Sequence, residues 1–337
     1  MNRRQFIISL AITALQQGLA PVHVMAKSPP GRDNARFSGR IINGQQRYRI
    51  PADAIDNEKD ACLIPPDIQA VIRRKVKKNA SHTCLAPLMN RPVNVQASDY
   101  QTKMRLFNRP HPDDRYVAPG ERALFTSCLK RFNRIYRTVG HTHFYLLGMD
   151  DAFKLARGYH HIGRFSGKEK QYLESVFHHD AVDYGFYGQR LITDFANRPD
   201  RSAVSKIPGT ANYLFKGEPV ALYNRLRRDI GHKVILTSGI RGVVKQFLLF
   251  FRKTHKSHGN LSMASRSIAP PGYTFHGVGD FDVGQVGYGG DNFSVRFIRS
   301  QVFEKLIALD YICLRYTEDN PYGVRFEPWH VMTPMNG

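Results

Sequence analysis

The chain has 337 residues and a formal net charge of +21, from 49 basic and 28 acidic side chains. An apolar share of 42% with 11% aromatic residues excludes a disordered chain and suits one large domain or two ordinary ones. The basic excess points to an anionic partner, either nucleic acid or a cell-envelope surface.

The N-terminus decides between these. Arg3-Arg4-Gln5-Phe6-Ile7 follows the twin-arginine pattern, an apolar run continues to Leu15, and Val24-Met25-Ala26 supplies a small-residue cleavage site. Residues 1–26 are therefore expected to be a twin-arginine-type signal peptide that directs the protein to the periplasm. No later stretch reaches the ~20 apolar residues of a membrane span, so the mature chain is expected to lack one. Periplasmic placement disfavours nucleic acid and leaves an anionic envelope surface. Residues 27–60, rich in proline, glycine and arginine, read as a linker or lightly packed arm. Arg73, Arg74, Lys75, Lys77 and Lys78 form a basic cluster, expected on a solvated helix face. Of the four cysteines, Cys62 and Cys84 lie in a loop-rich region and are candidates for a disulfide. Cys128 and Cys313 lie in apolar patterns and are expected as buried thiols.

Helix spacing of Leu124, Cys128, Phe132 and Ile135 predicts a helix over 121–136. Asp150-Asp151 suits the start of another. Ser166 and Glu169 form a capping box that predicts a helix over 167–177. Pro219 suits the first turn of a helix whose apolar face is Leu222, Leu226 and Ile230, and Gly231 ends it. The character then changes. Lys233-Val234-Ile235-Leu236-Thr237 reads as a buried strand, and Val244, Phe247, Leu248 and Phe251 predict a helix over 242–256. A strand is expected over 281–286, and a helix capped by Ser300 carries Val302, Leu306 and Leu309. Two strands, over 311–316 and 324–329, are expected to flank a turn. The sum is an α+β fold: a small antiparallel sheet with flanking helices carries the site, preceded by a mainly helical N-terminal region. The division expected is 27–204 for that region, whose role no motif reveals, and 205–337 for the catalytic domain.

Two short segments carry the chemistry. His276 and Asp282 stand in one, Glu327 and His330 in the other. Two imidazoles and a carboxylate are a catalytic zinc ligand set, with a fourth place left for water. Glu327 is then the base that takes a proton from that water. Asp280 stays open as a rival to Asp282, because Gly277 and Gly279 permit either register. Glu327 and His330 are three apart, so a regular strand would aim them at opposite faces and a turn at Pro328 is needed. The other histidines, including His141/His143, His160/His161 and His178/His179, lack a completing set and are expected to be structural.

These segments resemble the VanY-like zinc D-Ala-D-Ala carboxypeptidases, a family that also contains L,D-carboxypeptidases and phage endolysin peptidases. The matching residues are Thr274, His276, Gly279, Asp282 and Glu327-Pro328-Trp329-His330, with Ala269-Pro270-Pro271-Gly272-Tyr273 and Leu314-Arg315-Tyr316 ahead of the two motifs. Upstream, Ser238-Gly239-Ile240-Arg241 and Gln246 match a further family element. The resemblance spans about residues 205–332. It implies Zn2+ on His276, Asp282 and His330, Glu327 as catalytic base, and peptidoglycan stem peptides as substrate. It also implies that Arg241 holds the substrate's terminal carboxylate, with Gln246 and Thr274 assisting. Thr274 stands where the family has serine. Five residues separate His276 from Asp282 where the family usually has six. The activity implied is removal of a terminal D-alanine; alternatives are an L,D-carboxypeptidase, a cross-link endopeptidase, or a wall-binding module without catalysis.

Overall fold

A computed structural model describes residues 97–334, with the isolated stretches 41–42, 45–46, 68 and 70–72. The expected signal peptide, the 73–78 basic cluster and the Cys62–Cys84 pairing lie outside the described residues.

Strands β1 (Ile41–Ile42) and β2 (Gln45–Gln46) form a small antiparallel pair. Helix α1 spans Ala97–Arg105. Then comes a helical layer: α2 (Arg122–Phe144), α3 (Met149–Gly158) and α4 (Gly167–His178). The capping box at the head of α4 is present in both directions. Glu169 N donates to Ser166 Oγ at 3.2 Å, and Ser166 N donates to a Glu169 carboxylate oxygen at 2.6 Å. Helix α2 runs further than its apolar spacing predicts. It is broken by a kink at Gly140, whose φ 77° and ψ 164° are non-helical and are reached by glycine without Cβ strain, and a second short helical segment follows to Phe144.

Strands β3 (Val204–Lys206) and β4 (Tyr213–Phe215) form a hairpin. Helix α5 (Glu218–Ile230) starts at Pro219 and stops at Gly231, as expected. Strand β5 (Val234–Ser238), helices α6 (Val243–Lys256) and α7 (Leu261–Ser265), strand β6 (Phe281–Gln285), helix α8 (Gln301–Ala308) and strand β7 (His330–Val331) complete the described chain. The three strands form one antiparallel sheet in the order β5-β6-β7. The mixed α+β architecture with a small antiparallel sheet and a helical N-terminal region is thus the one the sequence predicts.

Two cores hold these layers. Phe132, Ile135, Phe144, Phe177, Val244, Phe247 and Phe251 are fully buried together, so α6 shares its core with α2 and α4. Leu226, Val234, Phe281, Val283, Phe297, Phe303 and Val331 are fully buried in the other, between the sheet, α5 and α8. Burying a Phe of this kind contributes about 1.5–3 kcal/mol.

The 311–316 and 324–329 segments are not the strands expected. Leu314 makes a single bridge to Val331, and regular pairing is confined to His330 and Val331. Backbone donors there go elsewhere: Arg325 N to Arg266 O and Glu327 N to Tyr316 O, each at 2.9 Å. Buried Arg315, Arg325 and Glu327 must also reach specific partners, which breaks the two-residue alternation. The expected thiol at Cys313 is corrected as well, since Cys313 is disulfide-bonded while Cys128 is free and buried. Among the described residues, no helix is long and apolar enough to cross a membrane.

Candidate metal centre

Strand register makes the centre of the site. On the middle strand, Asp282 pairs with Ser238 on one side and His330 on the other. Directly opposed residues on antiparallel strands share a face, with Cβ atoms ~5 Å apart. Asp282 and His330 are therefore neighbours by pairing alone. A bulge in β5 between Leu236 and Ser238 shifts the register just before the site.

His276 arrives from a short 3-10 turn, Phe275–Gly277. Its backbone is tied to the loop after β5, where Arg241 N donates to His276 O at 3.3 Å. The missing residue between His276 and Asp282 is absorbed in this turn and at Gly279. Gly279 adopts φ 141°, and a Cβ there would lie 2.7 Å from Thr333 Oγ1. A turn also settles the geometry of the second motif. His330 N donates to Glu327 O at 3.1 Å, so the two side chains are not held in extended alternation.

His276, Asp282 and His330 each offer one ligand atom, all within 4.8 Å of one another. His276 Nε2 lies 3.2 Å from Asp282 Oδ2, and His330 Nδ1 lies 3.1 Å from Asp282 Oδ1. Glu327 Oε2 stands 3.9 Å from His330 Nδ1. All four residues are buried. The other nitrogen of each ring is engaged: His276 Nδ1 with Gly239 O and His330 Nε2 with Asp280 Oδ2, both at 2.9 Å. His276 Nε2 and Asp282 Oδ1 are buried and make no hydrogen bond. Buried polar atoms are ordinarily paired. Two orphaned acceptors facing a third ligand fit a divalent ion with N/O ligands.

Electrostatics follow from burial. Burial, aided by the nearby Arg241 cation, pulls the His276 pKa down to about 4, which keeps the ring neutral and able to ligate. Burial pushes Glu327 up to about 7, against the pull of Arg325 and His330. For Asp282, burial favours the acid form, but His276 and Arg241 outweigh it and hold the carboxylate ionised. Burial likewise disfavours charge on His330, yet Asp280 and Asp282 overcome it and raise the ring to about 9, so a metal arriving at Nδ1 must displace a proton there.

The remaining predicted residues fall nearby. Arg241 donates from Nη2 to Asp282 Oδ2 at 2.6 Å and from Nε to Ser238 Oγ at 3.0 Å. Thr274 is buried at the start of the 3-10 turn. Gln246 is buried in α6, and its amide nitrogen donates to Ala269 O in the segment leading to His276. Trp329 packs into the core beneath the sheet. The sequence reading gave no role to Arg315 or Tyr316. Arg315 pairs with Asp280, and the Tyr316 ring stands 4.8 Å from that of His330. Their signal was the placing of a charged residue between Leu314 and Tyr316 in an apolar run.

Residues 221–332 match the family model VanY, D-alanyl-D-alanine carboxypeptidase. No curated protein matches the chain. Among solved structures, the chain is similar to a mutant of the vancomycin resistance D,D-pentapeptidase VanY from the VanB-type resistance cassette, in complex with Zn(II). The identity is 22% over 38% of this chain and 76% of that one, with a TM-score of 0.30. VanYB in complex with D-Alanine-D-Alanine gives 22% identity over 39% and 76% of the two chains, with a TM-score of 0.31. The LdcB LD-carboxypeptidase gives 18% identity over 36% and 60%, with a TM-score of 0.27. The match to the VanY, D-alanyl-D-alanine carboxypeptidase, family model lies over the very segments that bring His276, Asp282, His330 and Glu327 together, so this part of the chain is similar to that family.

Proposed function

We propose that the protein is an exported zinc carboxypeptidase that removes the terminal D-alanine from peptidoglycan stem peptides ending in D-Ala-D-Ala. The observation carrying this reading is the convergence of His276, Asp282 and His330, with Glu327 at 3.9 Å from a ligand nitrogen. A zinc ion held by the three ligands supplies Lewis acidity, which acidifies a bound water and polarises the scissile carbonyl. Glu327 takes the proton from the attacking water and returns it to the leaving amine. Its pKa near 7 suits both halves of that transfer. Arg241 receives the terminal carboxylate through its planar guanidinium and so sets which bond faces the water. Ser238 holds its Nε at 3.0 Å, which limits how far the head can swing. Thr274 and Gln246 complete the substrate side, Gln246 by fixing the 269–273 segment through Ala269 O.

The periplasm is the proposed location, reached by the twin-arginine route. The Cys313 disulfide supports an oxidising compartment. In this reading an anionic envelope surface is the partner of the strongly basic chain, and α2 and α4 brace the catalytic domain through the core they share with α6. The test is mass spectrometry of purified stem peptides incubated with the enzyme, with and without a chelator. Loss of one terminal D-alanine, abolished by the chelator and restored by zinc, is expected. Cleavage within a cross-link in place of this would assign an endopeptidase. Arg241→Ala separates the two, since loss on short free-ended peptides is expected for a carboxypeptidase.

A further inference from the structure

Asp280 is the carboxylate that competes with Asp282 in the sequence, and its surroundings give it different work. Its Oδ1 accepts from Arg315 Nη2 at 3.1 Å and from the Thr333 backbone N–H at 3.0 Å. Its Oδ2 accepts from Arg315 Nε and from His330 Nε2 at 2.9 Å. An ionised carboxylate has about four lone-pair sites, and these four donors fill them. Arg315 is locked in turn, with its guanidinium 3.6 Å from the centre of the Phe275 ring. All of these side chains are buried.

We propose that Asp280, clamped by Arg315 and Thr333, is a positioning residue that fixes the ring and the tautomer of the metal ligand His330. The inference rests on the reading of His330 as a ligand. A neutral imidazole carries its proton on either nitrogen. A carboxylate 2.9 Å from Nε2 selects the Nε2–H form and turns the Nδ1 lone pair toward Asp282 and Glu327. It also raises the basicity of the ligating nitrogen. Arg315 has a second consequence. By occupying both oxygens it keeps Asp280 from rotating inward as an extra ligand, which would close the coordination place that water needs. His276 is fixed by the same logic through Gly239 O, an uncharged acceptor. The two histidines thus present opposite nitrogens, Nε2 from one and Nδ1 from the other.

The experiment measures zinc affinity by competition with a chromophoric chelator for the wild-type full chain and for Asp280→Asn. The amide so introduced would turn an N–H2 group toward Arg315 or His330, and a 10–100-fold loss of affinity is expected. Phe132→Ala, which weakens the helical core far from these contacts, is the control and is expected to bind zinc as the wild type does. Wild-type affinity in folded Asp280→Asn overturns the proposal. A second measurement needs no variant. In the 15N-histidine NMR spectrum of the zinc-loaded protein, His330 is expected to carry its proton on Nε2 and the coordination shift on Nδ1; the reverse pattern overturns the proposal. A wild-type chain that binds no zinc sinks the metallopeptidase reading and this inference together, whereas failure with zinc binding intact touches this inference alone.

Discussion

The helical layer and the metal-bearing sheet bury different chemistry at similar depth. Around α2, α4 and α6 the fully buried side chains are Phe132, Ile135, Phe144, Phe177, Phe247 and Phe251. Charge there sits mainly at helix ends, as in the Ser166–Glu169 box. Around the end of β6 the buried set is His276, Asp280, Asp282, Arg315, Glu327 and His330. Apolar packing stabilises the first region outright. The second carries charges whose desolvation is offset by pairing and, in the proposed state, by a metal. Stability and function are therefore expected to separate between the two regions.

The largest expected effect tests the sheet. Glu327→Gln removes the proposed base while keeping its shape, and turnover should fall about 10²–10⁴-fold. Zinc content should stay at the wild-type level, since Glu327 is not among the three ligand residues. Thermal stability should hold or rise, because a carboxylate pushed up to about 7 by burial is replaced by a neutral amide. Assays with stem peptide, metal analysis and a melting curve check the three parts. Full activity in this variant would falsify the assignment of the base.

The converse substitution tests the helical layer. Phe132→Ala opens a cavity beside Phe165, Phe247 and Phe251 and should cost about 3–5 kcal/mol in urea unfolding. Zinc affinity and turnover of the folded protein should change little. If both fall with stability, the two regions form one cooperative unit and the contrast fails.

Lys245 is where the contrast blurs, because it is a charge inside the helical layer. Its Nζ stands 4.6 Å from the Tyr145 ring centre and 5.7 Å from that of Tyr136. These ring faces favour the cation. Burial, with Arg241 and Arg252 nearby, outweighs them and brings the lysine down from 10.5 to about 7. The folded pKa is thus lower than the unfolded one. Below about pH 7 both states carry the proton and the folded state bears the full cost; between about 7 and 10.5 that cost fades as pH rises. Lys245→Met should stabilise the protein by on the order of 2–3 kcal/mol at pH 6, and the gain should shrink toward pH 10. Denaturation at several pH values checks it, and a gain independent of pH would show that the lysine titrates alike in the folded and unfolded states.

How far the sequence carries differs between the regions in the same way. Caps and apolar periodicity are local, so Ser166, Pro219, Gly231 and Ser300 mark helix ends that the structure reproduces. His276, Asp282, Glu327 and His330 stand out in the sequence as a group, and the structure brings them together. What pairing they take was not legible there. Arg315 reaches Asp280 across 35 residues, and no local period announces that. The same non-local bonds undid the expected strands over 311–316 and 324–329. In α6, spacing suggested one apolar face, yet Leu249, Phe250 and Lys253 are also buried, because neighbours cover the helix on more than one side. Cys313 looked like a core thiol because a disulfide depends on a distant partner.

The smallest effect sharpens what a charge does at a helix end. Ser166→Ala removes the oxygen that accepts from Glu169 N but leaves Glu169 itself with three donors: Ser166 N, Ser127 Oγ at 2.6 Å and Arg131 Nε at 3.0 Å. The loss should be about 1 kcal/mol, the ordinary value for a helix cap. Glu169→Ala should cost more, because it strands a buried part of Arg131 and the Ser127 hydroxyl as well as opening the cap. Both variants should bind zinc normally, measured by the same chelator competition. Equal losses for the two would mean that the Arg131 and Ser127 contacts add nothing in the folded state. Charge in the helical layer would then act through caps alone, whereas in the sheet it gathers around the proposed metal site.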